Sequence, residues 1–154
     1  MLYPVPAVMV SCRSREGVNN IITVAWTGIV CSEPAMLYVS IRPERFSHSI
    51  IKDTGSFVVN LPTESLAYAL DFCGVKSGRD INKFEHLGLT PQKSNLVDAP
   101  SIGECPVSLE CRVKDIISLG SHDMFIAEIL CVDAEEKLLD KSGKLHLNKA
   151  GLIC

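Results

Sequence analysis

The most constraining feature of the chain is a pair of strand-like segments that follow each other without an intervening helix. Residues 22–30 (ITVAWTGIV) and residues 36–41 (MLYVSI) are rich in β-branched and apolar side chains. Ser32-Glu33-Pro34 separates them and supplies residues typical of a turn. The sequence therefore predicts two consecutive strands at this point of the chain.

A helix is predicted directly after the second strand. Pro43 cannot donate a ladder hydrogen bond and ends strand pairing, while Ser47 is a plausible N-cap for a helix over residues 48–54. Gly55 then ends the helix, because glycine readily adopts the left-handed conformation found at helix C-termini.

Two arginines, Arg42 and Arg45, lie just before this predicted helix. The positive end of a helix, its free N–H groups, neighbouring hydroxyls and two guanidinium groups together form a good cradle for a phosphate dianion. The alternative is a solvated basic loop with an ordinary capping serine, and the pattern alone does not choose between them.

The remaining segments complete a mainly β chain. Further strands are predicted at residues 5–12, 57–61, 107–119 and 124–132. A helix follows Thr63, and a short helix with Asp80 as its N-cap carries Lys83. Six or seven mostly consecutive strands favour a closed or half-open antiparallel barrel with short helical insertions. The chain lacks GxGxxG and GxxxxGK[ST] sequences, which argues against a doubly wound sheet.

Composition limits the possible partners. With 154 residues, 47% of them hydrophobic, and a formal net charge of -3, the chain suits one soluble domain over residues 1–154. This balance argues against a nucleic-acid binder or a polybasic membrane module. Residues 1–12 lack a basic segment before their apolar run, so they resemble neither a signal peptide nor a membrane span, and we expect a cytoplasmic protein.

The seven cysteines are expected to be reduced, unreactive thiols. Their number is odd, and nearly all lie within apolar runs, where cysteine acts as a small hydrophobic side chain. CxxC pairs are absent and the four histidines are scattered, so we expect neither a metal site nor a redox dithiol.

His122 lies in the turn Gly120-Ser121-His122-Asp123 between the last two long strands. A side chain in such a turn projects from the rim of a barrel, where an imidazole can donate a hydrogen bond to a carboxamide or stack on a flat ring. The alternative is an exposed turn histidine loosely paired with Asp123.

Taken in order, the short motifs of the chain resemble the flavin reductase-like family of FMN-binding split barrels, including its flavoredoxin branch. The resemblance covers nearly the whole chain. The motifs are Asn19-Asn20, Thr23-Val24-Ala25-Trp26, Ser32-Glu33-Pro34, Val39-Ser40-Ile41-Arg42, the helix after Ser47, Gly55-Ser56-Phe57-Val58-Val59-Asn60, Cys73-Gly74, Lys83-Phe84-Glu85 and Gly120-Ser121-His122.

The resemblance implies a six-stranded split barrel that forms a homodimer and binds FMN near the dimer interface, with NADH or NADPH as the hydride donor in some members. It places Thr23, Ala25, Trp26 and Thr27 along the isoalloxazine ring. It places the phosphate side of the cofactor at Ser40, Ile41, Arg42, Ser47 and His48, with Lys83 nearby. His122 falls near the nicotinamide or the exposed flavin face.

The resemblance leaves two redox roles open, a reductase that uses NAD(P)H and an electron-transfer flavoprotein that serves protein partners. A third possibility is a ligand-binding barrel without flavin. The sequence also departs from the family pattern. Asn82 stands where many reductases have aspartate, and family members usually continue past the position of Cys154, so we expect a shortened form.

Overall fold

The fold is dominated by one antiparallel sheet. A computed structural model describes residues 4–153, and within them seven strands pair in the order β2-β1-β5-β8-β9-β4-β3. These strands are β1 (Val8–Arg13), β2 (Asn19–Val24), β3 (Thr27–Ser32), β4 (Ala35–Ile41), β5 (Ser56–Leu61), β8 (Val107–Ser118) and β9 (Asp123–Ala134). A separate short pair joins β6 (Pro91–Gln92) to β7 (Ser101–Ile102). The prediction of a mainly β, split-barrel architecture is confirmed.

The sheet is curled, because its two edge strands are consecutive in the chain. β2 ends at Val24 and β3 begins at Thr27, so only Ala25 and Trp26 join the two edges. The three Cα–Cα steps from Val24 to Thr27 span at most about 11 Å, so these ends of the two edge strands lie near each other, although the strands do not pair. The prediction of one strand over residues 22–30 is therefore wrong. Ala25 and Trp26 carry no turn signal, and the break lies where the chain passes from one edge of the open sheet to the other.

Three helices cover the sheet, and two of their predicted caps are wrong. In α1 (Phe46–Thr54) the N-cap is Arg45 and not Ser47, whose side chain lies inside the first turn and has a different partner. α2 (Ala67–Val75) follows a short 3₁₀ turn, and α3 (Lys83–Leu87) is capped by Asn82, whose side chain accepts from the Glu85 N–H, and not by Asp80. Gly55 ends α1 with a φ of 70°, as predicted.

Two apolar clusters form on β1 and β2. Val10, Phe57 and Phe125 pack with α1 in the larger cluster, whereas Met9 and Ile21 pack against α2 and α3 on the other face. Both faces of β1 are thus covered, which explains its continuous apolar run, and each buried side chain of this kind contributes about 1.5–3 kcal/mol to folding.

β8 and β9 form a long hairpin whose turn was predicted correctly. Gly120 has a φ of 96°, which glycine tolerates without steric cost, and β9 begins at Asp123.

The first three residues and Cys154 lie outside the described residues, and the expectations about the chain ends refer in part to them. None of the helices within residues 4–153 combines the length and the apolar character needed to cross a membrane.

Candidate functional site: two joined cavities at the sheet edge

A cavity of about 320 Å³ lies where β2 meets the start of α1 and the segment that follows α2. Four basic residues, Arg45, Lys76, Arg79 and Lys83, contribute to its wall. We call this space the basic cavity; its other lining residues are Asn20, Ile22, Glu44, Phe46, Ser47, Cys73, Ser77 and Gly78. Four cationic side chains against one acidic neighbour favour an anionic ligand.

Asn20 and Ser47 join β2 to α1 in the wall of the basic cavity. Asn20 is 2% exposed, and its Nδ2 donates to Ser47 Oγ over 2.7 Å. The other amide atom, Asn20 Oδ1, is buried and has no hydrogen-bond partner within residues 4–153. A buried acceptor without a partner costs about 1–3 kcal/mol, so Asn20 joins β2 to α1 through its Nδ2 alone.

Lys83 is 3% exposed, and two of its three N–H groups are already used. Its Nζ donates to the carbonyl oxygens of Ile21 at 2.6 Å and Cys73 at 2.9 Å, which ties α3 to β2 and α2. Burial lowers the pKa of Lys83 from its ordinary value. The ammonium thus has a structural role and keeps one donor for the cavity that it lines.

The outer wall is residues 76–79, which we call the wall segment. A Cβ on Gly78 would lie 2.0 Å from Asn20 Oδ1 and 2.9 Å from Phe46 Cδ1, so only glycine allows this approach. Arg79 donates from Nη1 to the Glu44 carbonyl at 2.9 Å and lies 5.4 Å from the centre of the Phe46 ring. These contacts hold the wall segment against the start of α1.

A second cavity of about 180 Å³ adjoins the first and shares Ile22 and Arg45 with it. We call it the open cavity. It is lined by backbone and small side chains at the end of β2, by the end of β4 and by the β8–β9 turn, namely Thr23, Val24, Ala25, Trp26, Ser40, Ile41, Arg42 and His122. Small groups on one wall and aromatic rings on another suit a flat ring.

Trp26 and His122 form the rim of the open cavity. Their ring centres are 4.4 Å apart with an interplanar angle of 36°, and Trp26 is 55% exposed. His122 Nδ1 lies 2.9 Å from Ser121 Oγ, which fixes the ring on its other side. Both rings therefore stand at the mouth, where a second molecule can reach them.

The structure brings most of the predicted site residues to these cavities. The open cavity is lined by seven of them, namely Thr23, Ala25, Trp26, Ser40, Ile41, Arg42 and His122. The basic cavity is lined by Ser47 and Lys83. The Thr23 hydroxyl already donates to the Leu70 carbonyl. Thr27 follows Trp26 in the chain and does not line either cavity; its hydroxyl donates to the Tyr38 carbonyl at 2.7 Å. Arg42 is exposed and lies 3.6 Å from Glu44.

His48 lies elsewhere. Its side chain is 7% exposed, its Nε2 is 2.8 Å from Asp123 Oδ2, and its ring meets Phe125 edge-on at 5.1 Å. His48 lines neither of the two cavities. Asp123, which the alternative interpretation paired with His122, is thus the partner of His48. This hydrogen bond holds the pKa of the Asp123 carboxyl below its ordinary value.

Sequence reasoning missed Asn20 and the wall segment. From its sequence the pair Asn19-Asn20 is typical of a turn, yet Asn20 is a buried member of β2. The wall segment belongs to a polar stretch of the kind that often lines functional sites, and the basic residues Lys76 and Arg79 on either side of Gly78 were the available signal.

The cysteines near the site are protonated thiols. Burial raises the pKa of Cys12 to about 12 and that of Cys73, which lines the basic cavity, to about 11. The six described cysteines are unpaired. Because the thiolate is the reactive form, neither Cys12 nor Cys73 is suited to a covalent bond with a ligand.

Comparison with known proteins agrees with this architecture. The family model described as flavin reductase like domain matches residues 1–149. An uncharacterized protein of Archaeoglobus fulgidus is 38% identical over 147 residues, covering 96% of this chain and 81% of that protein. The flavoredoxin of Desulfovibrio vulgaris (Miyazaki F) superposes with a TM-score of 0.91 at 35% identity, covering 97% of this chain and 80% of the other.

A second solved structure, the flavoredoxin from Methanosarcina acetivorans, has a TM-score of 0.91 at 29% identity and covers 99% of this chain and 80% of its own. The fold is that of a split-barrel protein of flavin-binding redox type. The chain belongs to the flavin reductase like domain family.

Proposed function

We propose that the chain is one FMN-binding oxidoreductase domain that uses NAD(P)H to reduce bound or free flavin. One observation carries the proposal: a cavity with four basic residues joins, at Ile22 and Arg45, a cavity with an aromatic rim. FMN has the matching shape, with a flat ring at one end and a phosphate at the other.

The residues present fit FMN in charge and in shape. The basic side chains of the basic cavity match a phosphate dianion, and the small groups of the open cavity leave room for a flat ring. When bound, FMN would supply the redox chemistry by accepting a hydride and passing electrons on, and the protein would supply binding, orientation and exclusion of water.

We assign the phosphate to the basic cavity and the ring to the open cavity. Arg45, Ser47 and the remaining N–H of Lys83 would hold the phosphate, whereas Ala25, Trp26 and Ser40 would lie along the ring. Arg42, predicted from sequence at the phosphate, lines only the open cavity and would lie on the ring side of Arg45. His122 and Trp26 would orient the nicotinamide at the mouth.

The second candidate is an electron-transfer flavoprotein that exchanges electrons with proteins and does not turn over NAD(P)H. The exposure of Trp26 at the mouth of the open cavity and the likeness to two flavoredoxins favour this candidate.

Anaerobic stopped-flow mixing of the FMN-loaded protein with NADH or NADPH separates the reductase from the electron carrier. Fast bleaching of the flavin supports the reductase, and reduction by a protein donor alone supports the carrier. A protein that leaves FMN fluorescence unchanged in titration contradicts both.

Arg45→Ala is expected to weaken FMN about ten- to a hundredfold, since a charge-assisted hydrogen bond contributes about 1.5–3 kcal/mol. Riboflavin, which lacks the phosphate, should lose little affinity. Fluorescence titration with both ligands measures the effect. Arg15→Ala, at an exposed ion pair with Asp53, is the control. A phosphate-specific loss in Arg42→Ala instead of Arg45→Ala would move the phosphate to the open cavity.

His122→Ala is expected to slow flavin reduction by NAD(P)H about five- to thirtyfold, because one orienting contact contributes about 1–2 kcal/mol to the transition state. FMN affinity should change by no more than about twofold. His86→Ala, an exposed histidine on α3, is the control. Loss of FMN affinity with normal reduction at saturation would make His122 a flavin ligand.

We further propose a cytoplasmic homodimer. Edge strand β3 exposes Ile29 and Val30, and Trp26 and Leu119 are exposed as well. An unpaired edge with apolar side chains favours association with a second copy, and two-fold dimers are the commonest assembly. A monomer in light scattering at micromolar concentration with FMN present would contradict the dimer.

A further inference from the structure

The turn between β8 and β9 carries His122 but buries little of its own surface. Residues 119–121 are exposed, and Leu119 is 60% exposed. The Leu119 N–H donates to the His122 carbonyl at 2.9 Å, a bond that closes the turn but does not tie it to another element. Surface turns of this kind are mobile unless their ends are fixed. The position of His122 therefore depends on how the base of the turn is held.

Asp123 forms the base of the turn and is fixed through both its backbone and its side chain. The backbone pairs with Ile41 of β4 and with Ser118 of β8. The side chain is 10% exposed, and its Oδ2 lies 2.8 Å from His48 Nε2. An ionised carboxylate can only accept a hydrogen bond, so His48 donates. This bond joins the turn to α1, 75 residues earlier in the chain.

His48 is a rigid partner for this bond. Its side chain is 7% exposed, and its ring meets Phe125 edge-on at 5.1 Å. Its backbone N–H donates to the Arg45 carbonyl at 3.0 Å at the start of α1. The imidazole is thus held by its helix and by the core, so a movement of Asp123 away from it would break a buried hydrogen bond.

His122 meets Trp26 at the mouth of the open cavity, one residue before Asp123. The two ring centres are 4.4 Å apart. Trp26 is fixed independently of the turn, because its carbonyl accepts from the Ser40 N–H at 2.9 Å. The relative position of the two rings is therefore set by the β8–β9 turn, and the turn is set by Asp123.

We propose that His48 and Asp123 are positioning residues, which hold the β8–β9 turn on α1 and thereby set the His122 ring against Trp26. Neither residue of this pair lines the two cavities, so both act through His122. Where it concerns hydride transfer, the inference rests on the proposed function, because it gives the buried pair a part in presenting His122 to the nicotinamide.

The test breaks the bond without leaving a buried charge. The variant His48→Leu/Asp123→Asn removes the donor and the charge together, so no unpaired carboxylate remains. Asp123→Ser, whose side chain is too short to reach His48, breaks the bond in a second way. His48→Gln keeps an N–H donor on a long side chain and should preserve the bond. His86→Leu, on the exposed surface of α3, is the control.

The first readout needs no ligand. The chain has one tryptophan, so its indole N–H gives a single NMR cross-peak, which an aromatic ring 4.4 Å away displaces. In both bond-breaking variants the cross-peak should move in the same direction as in His122→Ala. In His48→Gln and His86→Leu it should stay at the wild-type position. When a bond-breaking variant is combined with His122→Ala, the cross-peak should move no further than in His122→Ala alone.

The second readout is flavin reduction by NADH or NADPH at saturating FMN. The bond-breaking variants should be slowed about five- to thirtyfold, as is expected for His122→Ala. Residues that act as one unit have non-additive effects, so in the His122→Ala background the same substitutions should change the rate by less than about twofold. FMN affinity should stay close to that of wild type, since Arg45 and Ser47 are unchanged.

The outcomes separate the inference from the function. An indole cross-peak that stays in place in the bond-breaking variants, or in His122→Ala, overturns the positioning role. Equal slowing with and without His122 also overturns it, because the pair would then stabilise the fold without acting through this ring. If neither NADH nor NADPH reduces the FMN-loaded wild type, the proposed reductase fails, while the cross-peak still decides whether the pair positions His122.

Discussion

Gly78→Ala is expected to weaken FMN binding about a hundredfold. The new Cβ would lie 2.0 Å from Asn20 Oδ1 and 2.9 Å from Phe46 Cδ1, and both atoms belong to elements of the barrel. The wall segment must therefore move outward, taking Lys76 and Arg79 with it. Loss of one charge-assisted contact to the phosphate, about 1.5–3 kcal/mol, has an effect approaching this size, and overpacking of this kind costs about 1–3 kcal/mol of stability.

The measurement is FMN titration together with urea unfolding. Gly103→Ala is the matched control, because its Cβ would meet Thr90 at 3.3 Å, away from both cavities, and neither glycine has a positive φ. The double variant Asn20→Ala/Gly78→Ala tests the cause: removal of Oδ1 should recover part of the stability lost in Gly78→Ala. An FMN affinity within threefold of wild type would show that the wall segment does not contribute to binding.

The sequence predicted those parts of the molecule that local pattern controls. The long strand β8, the Gly55 helix end and the turn before Asp123 each follow from a few neighbouring residues. The break between β2 and β3 does not, because the run of apolar residues continues through Ala25 and Trp26. There the chain passes between the two edges of a curled sheet, and that requirement arises only once all seven strands are paired.

The candidate site shows the same division. The arginines before α1 could be located from sequence, since a helix start and its preceding loop are contiguous. Asn20 and Gly78 could not, because their roles come from contacts with Ser47 and with each other across long stretches of chain. His48 shows a related limit: the resemblance placed it at the phosphate side of the cofactor, whereas its ring is bound by Asp123, 75 residues away, which no local pattern indicates.

His48→Leu is expected to destabilise the protein by about 3–5 kcal/mol at neutral pH. The side chains of His48 and Asp123 are 7% and 10% exposed, so the variant leaves a buried carboxylate without its partner. The bond also joins α1, which carries Ser47, to the start of β9, directly after His122. We therefore expect slower flavin reduction as well as lower stability.

The pH dependence identifies the cause of this loss. In wild type the hydrogen bond from His48 lowers the pKa of Asp123, so its contribution to stability is present above the unfolded pKa of about 3.9 and is lost as pH falls through the lower folded value. In His48→Leu the unpaired carboxylate penalises folding at neutral pH, and the penalty shrinks as acid protonates it. The gap in free energy of unfolding between the two proteins should therefore narrow towards acid.

Urea unfolding at several pH values measures this gap, with His86→Leu on the exposed surface of α3 as the control. The double variant His48→Leu/Asp123→Asn removes the charge together with its partner and should be more stable than His48→Leu alone at neutral pH. If the double variant is no more stable, the loss comes from packing against Phe125 and not from the unpaired carboxylate. In that case the link between α1 and the turn that carries His122 is steric. The difference in free energy of unfolding between wild type and His48→Leu should then not change with pH.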